Sequence, residues 1–555
     1  MSDKISFDVN NKTLTYEPPV TPLKIIEDSG QELTGGENPL VGIAVNQRMF
    51  ALRHPLKRGG RVNFIRYKDR YGDEYYRRGL TLVLVLACNR LFKKRQLEIG
   101  HSIEHGYYYQ LSDENPVDRE VLDQIEEKMR EIISANLPIE VEVVEHKEAL
   151  NIFRERQESD KIRLLETWSE ELVELHRLDD YLDLAYFPAL ANTGLLKHFE
   201  LRPYTPGFIL RFPLGDNHKN IPEPKDQPKL FQIYQETRDW AKILEVDDVG
   251  ALNKVIEEDK ITEFIKISEA LHERKIIRIA DEIHRDLNNI NLVTIAGPSS
   301  SGKTTFAKRL SIQLRVQGIK PVRISTDDYF VNREDTPRDE DGNYNFEALE
   351  AIDLELFNRH LTELTQGKEV EVPQFSFETG QRKEKTIPLK LTEDQLLIVE
   401  GIHGLNPELT RAVDRHRKHL IYVSALTQLV IDNHNRISTS DTRLIRRIVR
   451  DVLFRNISAT TNIHRWSNVR RGEREYIFPY QEDADSMFNS SLLYELAVLK
   501  PYIKSALKSV NDSDPGHRTA HRIRRFINLF QKVDAKEIPP TSILREFIGG
   551  SSFNY

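Results

Sequence analysis

Near the middle of the chain, residues 292–316 read LVTIAGPSSSGKTTFAKRLSIQLRV. The first five residues form an apolar, β-branched run of the kind buried inside a parallel sheet. Gly297 to Thr304 fit the pattern G-x-x-x-x-G-K-[ST]. From Lys303 to Val316 the apolar positions recur at helical spacing. Strand, glycine-rich loop and helix in that order make a phosphate-binding loop. Gly297 and Gly302 permit the backbone to curl so that successive N–H groups face an anion. The helix that opens there adds the positive end of its dipole. Lys303 is expected to reach the β- and γ-phosphates of ATP, and the Thr304 hydroxyl to ligate Mg²⁺.

Such a loop binds nucleotide without saying where the phosphate goes, and the flanking strands supply that. Residues 322–328 (VRISTDD) read as a second strand ending in two carboxylates, Asp327 and Asp328. Ligands of parallel α/β sheets sit beyond the strand C-termini. A carboxylate there can take the proton of an acceptor hydroxyl as its bond to phosphorus forms. Residues 396–401 (LLIVEG) repeat the pattern, and place Glu400 where it can hold Mg²⁺ or a metal-bound water. Arg443, Arg446, Arg447 and Arg450 follow at spacings of three and four, which puts them on one helix face, flanked by Asp441, Asp451 and Arg455. An arginine face can neutralise charge spreading over a transferring phosphoryl group; the plainer alternative is a solvated face.

Over about residues 291–460 these motifs, in this order, resemble the uridine kinase family. GPSSSGKTT looks like its phosphate loop, and ISTDDYF (324–330) like the segment carrying its catalytic Asp, which implies that role for Asp327. Residues 345–347 (NFE) resemble its ribose-contacting N-F-D, with Glu347 at the acidic position. VPQFSF (372–377) resembles its base-contacting strand, with Phe375 and Phe377. VEGI (399–402) matches its E-G-I, and residues 442–451 its arginine-rich lid helix. Motif and resemblance together imply ATP and Mg²⁺, with Asp327, Lys303, Arg447 and Arg450 catalytic. The nucleotide falls to Gly297, Ser299, Ser300, Ser301, Gly302, Lys303, Thr304, Thr305 and Arg455. The acceptor falls to Asp327, Glu347, Phe375, Phe377 and Arg447, and the metal to Thr304 and Glu400. Three departures stand out: the family's base-reading Tyr is Phe375, its base-reading His falls at Gly380, and its last lid arginine falls near Ile457.

The 555 residues call for several domains. Charged residues make up 30%, the net charge is −8, and Cys88 is the single cysteine. These point to a soluble protein of the reducing cytoplasm, with no signal peptide, disulfide, cysteine zinc site or membrane span expected. The expected fold class is α/β: a P-loop kinase with a mainly parallel sheet, preceded by a small β-rich ubiquitin-like domain and an α+β synthetase editing-like domain. The boundaries read as 1–66 (β-rich), 67–225 (α+β), 226–289 (helical connector), 290–510 (kinase) and 511–555 (helical tail). Residues 217–227 read as a linker and residues 511–516 as a break. Residues 80–91 fit helix or buried strand alike, whereas residues 116–136 and 161–175 look helical and residues 139–144 alternate like a strand.

The first 225 residues resemble the N-terminal and editing modules of threonyl-tRNA synthetase, with a TGS-like start and LEIGHSIEHGYYY at 97–109. The family's editing ligands would fall at Arg78, Leu82, Ala185 and Ala189, so all four are lost. His101 and His105 read as ordinary histidines, and Tyr107, Tyr108 and Tyr109 as packing residues. Arg522, Arg524 and Arg525 read as part of an amphipathic helix docking on the protein. The synthetase-like half is expected to support a homo-oligomer, cover the acceptor pocket or sense a ligand. The leading expectation is phosphorylation of a nucleoside 5′-hydroxyl. Kinases of pantothenate or a sugar phosphate remain as alternatives, as does an RNA-binding ATPase regulator, which the acidic charge disfavours.

Overall fold

The computed structural model describes all residues except 1–3, 34–35, 37, 70, 93–94, 113–114, 216–218, 341, 377, 512 and 555. Phe377 therefore lies outside the described residues, as do parts of the expected linker at 217–227 and of the break at 511–516. The C-terminal half is built on a five-stranded sheet in the order Lys320–Ser325, Gln395–Glu400, Leu292–Ala296, Lys418–Ser424, Ser486–Asn489. Every neighbouring pair in it is parallel. Parallel strands are covered on both faces, which is why Leu292–Ala296 is buried at every position and reads as one apolar run. The helix Lys303–Val316 buries Phe306, Ala307, Leu310 and Leu314, a helical stripe, against the sheet.

The connector between the halves is three helices, Pro228–Ile243, Val249–Glu257 and Ile261–Arg285. The longest lies along the phosphate-loop helix, where Arg309 bonds Glu273 at 2.6 Å and reaches Glu269 at 3.4 Å. The chain starts with a five-stranded sheet ordered Lys12–Tyr16, Ile5–Val9, Gly60–Arg66, Leu40–Val45, Arg48–Ala51, beside the short helix Pro22–Asp28. A four-stranded and a three-stranded sheet follow, with the helices Gly72–Leu91 and Arg119–Ser134.

Residues 80–91 are helical. Leu80 to Cys88 are buried all round, so no amphipathic period marks them. The helix expected over 161–175 is a correction. Only Ser159–Glu166 is helical, and Leu172–Leu178 is a strand paired antiparallel with Ile139–Glu145. Val173, Leu175, His176 and Leu178 are buried along it, a pattern that keeps no clean period of two and so left no strand signature in the sequence. His101 sits in the strand Leu97–Ile103 and His105 at the following turn, so the pair shares no helix face. Tyr108 and Tyr109 are buried packing residues.

The halves are pinned by a hairpin of the kinase half, Val430–Asp432 and Asn435–Arg436. Its tip enters the synthetase-like half, where the Asn433 N–H donates to Asp160 at 2.7 Å and the Ile99 N–H donates to the Asn433 carbonyl at 2.8 Å. His434 Nδ1 lies 3.2 Å from both Asp183 and the Lys161 ammonium. Arg78 pairs with the same Asp183 at 2.8 Å. Lys161 is 1% exposed and faces Glu158, Asp160 and Asp183 at 2.8, 3.7 and 3.6 Å. Burial pushes its pKa down, but those carboxylates outweigh it and hold the ammonium well above its usual range. In the C-terminal tail, the helix His517–Ile527 docks through Arg522 on Asp441 and Arg525 on Glu174.

Lys161→Met leaves these carboxylates buried without their cation and is expected to destabilise the protein by about 3–5 kcal/mol. The first transition in urea unfolding reads this; a change under about 1 kcal/mol would mean that water compensates the cluster.

Candidate active site at the phosphate-binding loop

The site forms where the parallel strands end. Gly297 adopts φ +157°, and a Cβ there would fall 2.0 Å from the Val423 carbonyl oxygen. Gly302 adopts φ +83° and opens the helix. Both positions thus require glycine, one for close approach and one for a left-handed backbone. The Lys303 ammonium donates back to the carbonyls of Gly297 and Pro298 at 2.8 and 3.2 Å. Burial lowers its pKa, against the pull of Glu400, Asp327, Glu546 and Glu347 around it.

The Thr304 hydroxyl lies 3.1 Å from both oxygens of Glu400, donating into the carboxylate. Burial lifts the Glu400 carboxyl to about 7; Lys303 opposes this, while Asp327 and Glu546 add to it. Asp327 is an exposed residue at the mouth of the site, and the protein crowded around it raises its pKa against Lys303, Arg455 and Arg450. Asp328 points elsewhere and is engaged by the backbone of Phe375. The geometry thus separates two carboxylates that the sequence left equivalent.

The arginine face lies on the helix Thr439–Phe454 and divides in two. Arg443 and Arg446 are fully buried and brace the loop from behind. Arg443 Nε donates to the Ser299 carbonyl at 2.9 Å while pairing with Glu473, and Arg446 reaches the Ser300 carbonyl at 3.4 Å while pairing with Glu495. Arg447 instead donates to the Ser299 hydroxyl at 2.8 Å and to Asn462 at 3.1 Å. Arg450 and Arg455 share Asp451, at 3.0 and 3.6 Å. The buried hydroxyls of Ser300 and Ser301 have no hydrogen-bond partner among the described residues. Thr305 is engaged from the C-terminal tail by Glu546.

Residues 292–493 match the Phosphoribulokinase / Uridine kinase family. The same half is similar, at low identity, to solved chains. A "possible uridine kinase" from Bacillus stearothermophilus is 20% identical, covering 39% of this chain and 98% of that one, with a TM-score of 0.27. D-glycerate 3-kinase from Cryptococcus neoformans is 14% identical, covering 52% and 87%, with a TM-score of 0.20. The N-terminal region matches threonine–tRNA ligases. That of Thermotoga neapolitana is 33% identical over 189 residues, 34% of this chain. The chain spans 28% of that ligase's length.

The P-loop kinase family implies ATP and a divalent metal, and the residues present fit both. Among the described residues no three or more His, Cys, Asp or Glu side chains gather to hold a metal. Thr304 and Glu400 offer two oxygen-donor side chains, which suits Mg²⁺, an ion that keeps several waters and leans on substrate phosphates. The orphaned Ser300 and Ser301 hydroxyls and the positive end of the helix suit a phosphate chain.

Among the residues expected to meet an acceptor, Glu347 rests against the helix Ala459–Tyr476 at Gly472. Burial raises its pKa, opposed by Arg447 and Lys303. Phe375 lies on Phe330 with ring centroids 5.6 Å apart. At Gly380, where the family resemblance would place a base-reading side chain, a Cβ would fall 2.6 Å from the Arg333 guanidinium. Sequence reading missed three residues here: Arg333, Glu546 and His403. His403 is 1% exposed, faces the backbone of Glu347 and Ala348, and is driven by burial to a pKa of about 4. Its place two residues after the E-G pair was the available signal. A cavity of about 750 Å³ lies elsewhere, beside Lys161 and Asn433, and no phosphate-loop residue lines it. Among the described residues no helix is long and apolar enough to cross a membrane.

Glu400 generates a pH prediction. Between its ordinary value of 4.5 and about 7 the folded metal-free protein holds a proton that the unfolded chain has lost. Stability contributed by this group therefore falls as pH rises through that window. Glu400→Gln is expected to raise the melting temperature relative to the parent at pH 8, with the gap closing by pH 5. Equal gaps at both pH values would remove Glu400 as the titrating group.

Proposed function

We propose that the chain is an ATP-dependent kinase that phosphorylates the 5′-hydroxyl of a nucleoside, with uridine and cytidine the leading acceptors. The observation that carries this reading is Asp327, set beyond a strand end and faced by Lys303, Arg450 and Arg455 beside the Thr304–Glu400 pair. An acceptor hydroxyl held at Asp327 gives up its proton to that carboxylate. The acceptor oxygen bonds to the γ-phosphorus, the bond to the β-bridging oxygen breaks, and ADP leaves with that electron pair. The raised pKa of Asp327 makes it the stronger base for the task. Lys303, Arg447 and Arg450 supply positive charge to the equatorial oxygens. Mg²⁺, when bound, neutralises charge on the β- and γ-phosphates.

A second reading has one specific observation behind it. The Arg333 guanidinium fills the place beside Gly380, and a guanidinium suits a carboxylate or phosphate better than a neutral pyrimidine. This favours an anionic acceptor such as pantothenate or a sugar phosphate.

The test is a transfer assay with ATP and Mg²⁺ across nucleosides, deoxynucleosides, pantothenate and sugar phosphates. A nucleoside monophosphate product supports the first reading, and turnover confined to anionic acceptors the second. Transfer to none, with ATP hydrolysis stimulated by RNA, would sink both. With the acceptor found, Lys303→Ala is expected to lower kcat/KM by about 10³-fold. Asp327→Asn is expected to lower kcat by about 10²–10⁴-fold while ATP still binds. Near-normal turnover in Asp327→Asn would move the base elsewhere.

A further inference from the structure

The helix Lys303–Val316 begins its internal bonding at Phe306, whose N–H donates to the Gly302 carbonyl at 3.0 Å. The N–H groups before it, through Thr305, have no partner within the helix and form the anion-facing end of the phosphate loop. At Thr305 that end is already filled. Glu546 Oε2 accepts the Thr305 hydroxyl proton at 2.6 Å and the Thr305 N–H at 3.3 Å. Thr305 is fully buried beneath this contact. The carboxylate comes from the far C-terminus, 241 residues away in sequence, and from no motif of the kinase half.

The tail is fastened around this point. Ile543 lies on Gly302, where a Cβ would fall 2.7 Å from its Cγ2. Phe547 is buried, with its ring 5.1 Å from the Arg446 guanidinium that braces the loop. Gly549 sits against the ring of Phe454, at the end of the arginine helix. The Lys308 ammonium donates to the Asn554 carbonyl. Glu546 itself is only half-buried, so its side chain can leave while its neighbours stay packed.

We propose that Glu546 is a built-in competitor for nucleotide phosphate: a carboxylate of the C-terminal tail that holds the Thr305 end of the loop and must withdraw when a nucleotide binds. This rests on the loop being a nucleotide site. Charge argues in the same direction. Lys303 already faces Glu400, Asp327 and Glu347, and Glu546 adds a fourth carboxylate to the space that a polyanion must occupy. Glu400 can be neutralised by a metal and Asp327 has a use in proton transfer, whereas Glu546 serves neither purpose. Its contact holds the Thr305 hydroxyl and N–H and raises the free energy of placing a phosphate there.

The experiment is calorimetric titration of ATP and ADP into the full chain, parent against Glu546→Gln and Glu546→Ala, with Mg²⁺ and again in EDTA. Melting temperatures report that each variant folds. Both variants are expected to bind about tenfold more tightly, equivalent to about 1.4 kcal/mol, and the gain should persist in EDTA, where no metal screens the phosphates. Unchanged affinity in both variants overturns the competitor. Weaker binding with Mg²⁺ also overturns it, because Glu546 would then hold the metal–nucleotide complex. Absence of nucleotide binding in the parent and both variants would instead defeat the nucleotide-site reading on which the proposal stands.

Discussion

The phosphate loop works only if its N–H groups point outward, and that requires its carbonyls to be held from behind. Arg443 and Arg446 do this, grasping the carbonyls of Ser299 and Ser300. Two buried guanidiniums would be ruinous without compensation, and Glu473 and Glu495 supply it. These glutamates come from a helix and a helix start far downstream, so the loop's shape depends on the chain having closed over it. Other features of the site follow from this bracing: the close approach at Gly297, the open face shared by Lys303 and Thr304, and the division of one arginine helix into structural and outward-facing members.

The kinase core was legible because its signals are local. A buried parallel strand, a glycine loop and an amphipathic helix each leave a pattern within a few residues, and Asp327, Glu400 and the arginine spacing could be read from one stretch at a time. What failed to show was set by distance or by symmetry of burial. Residues 80–91 are apolar on all sides, so their period carried no information. The strand at 172–178 depends on a partner some thirty residues earlier. Arg443 looked like its neighbour Arg447, and only Glu473, thirty positions on, tells them apart. Asp327 faces Lys303, Arg455 and Arg450 whereas Asp328 meets the backbone of Phe375, a difference made by the fold and not by the sequence around them. Glu546 could not be found at all, because nothing near it in sequence resembles a phosphate ligand.

The acceptor side shows the opposite balance. The phosphate-handling residues resemble the family motif by motif, whereas Phe375 and Gly380 depart from it and Arg333 has moved into the space that a side chain at 380 would take. Substituting a charged group for a neutral reading group changes what can be desolvated there at tolerable free energy.

The hairpin at 430–436 has a consequence for inheritance. Its His434 sits between Lys161 and Asp183, and Arg78 meets that same carboxylate. The contact is a fastening between the two halves. A recombination event that swapped either half for a relative lacking its counterpart would cost Asp160 the Asn433 N–H and Asp183 the His434 ring. The seam between the halves is therefore a poor place for genetic exchange, and two modules of separate resemblance are constrained to evolve as a single unit.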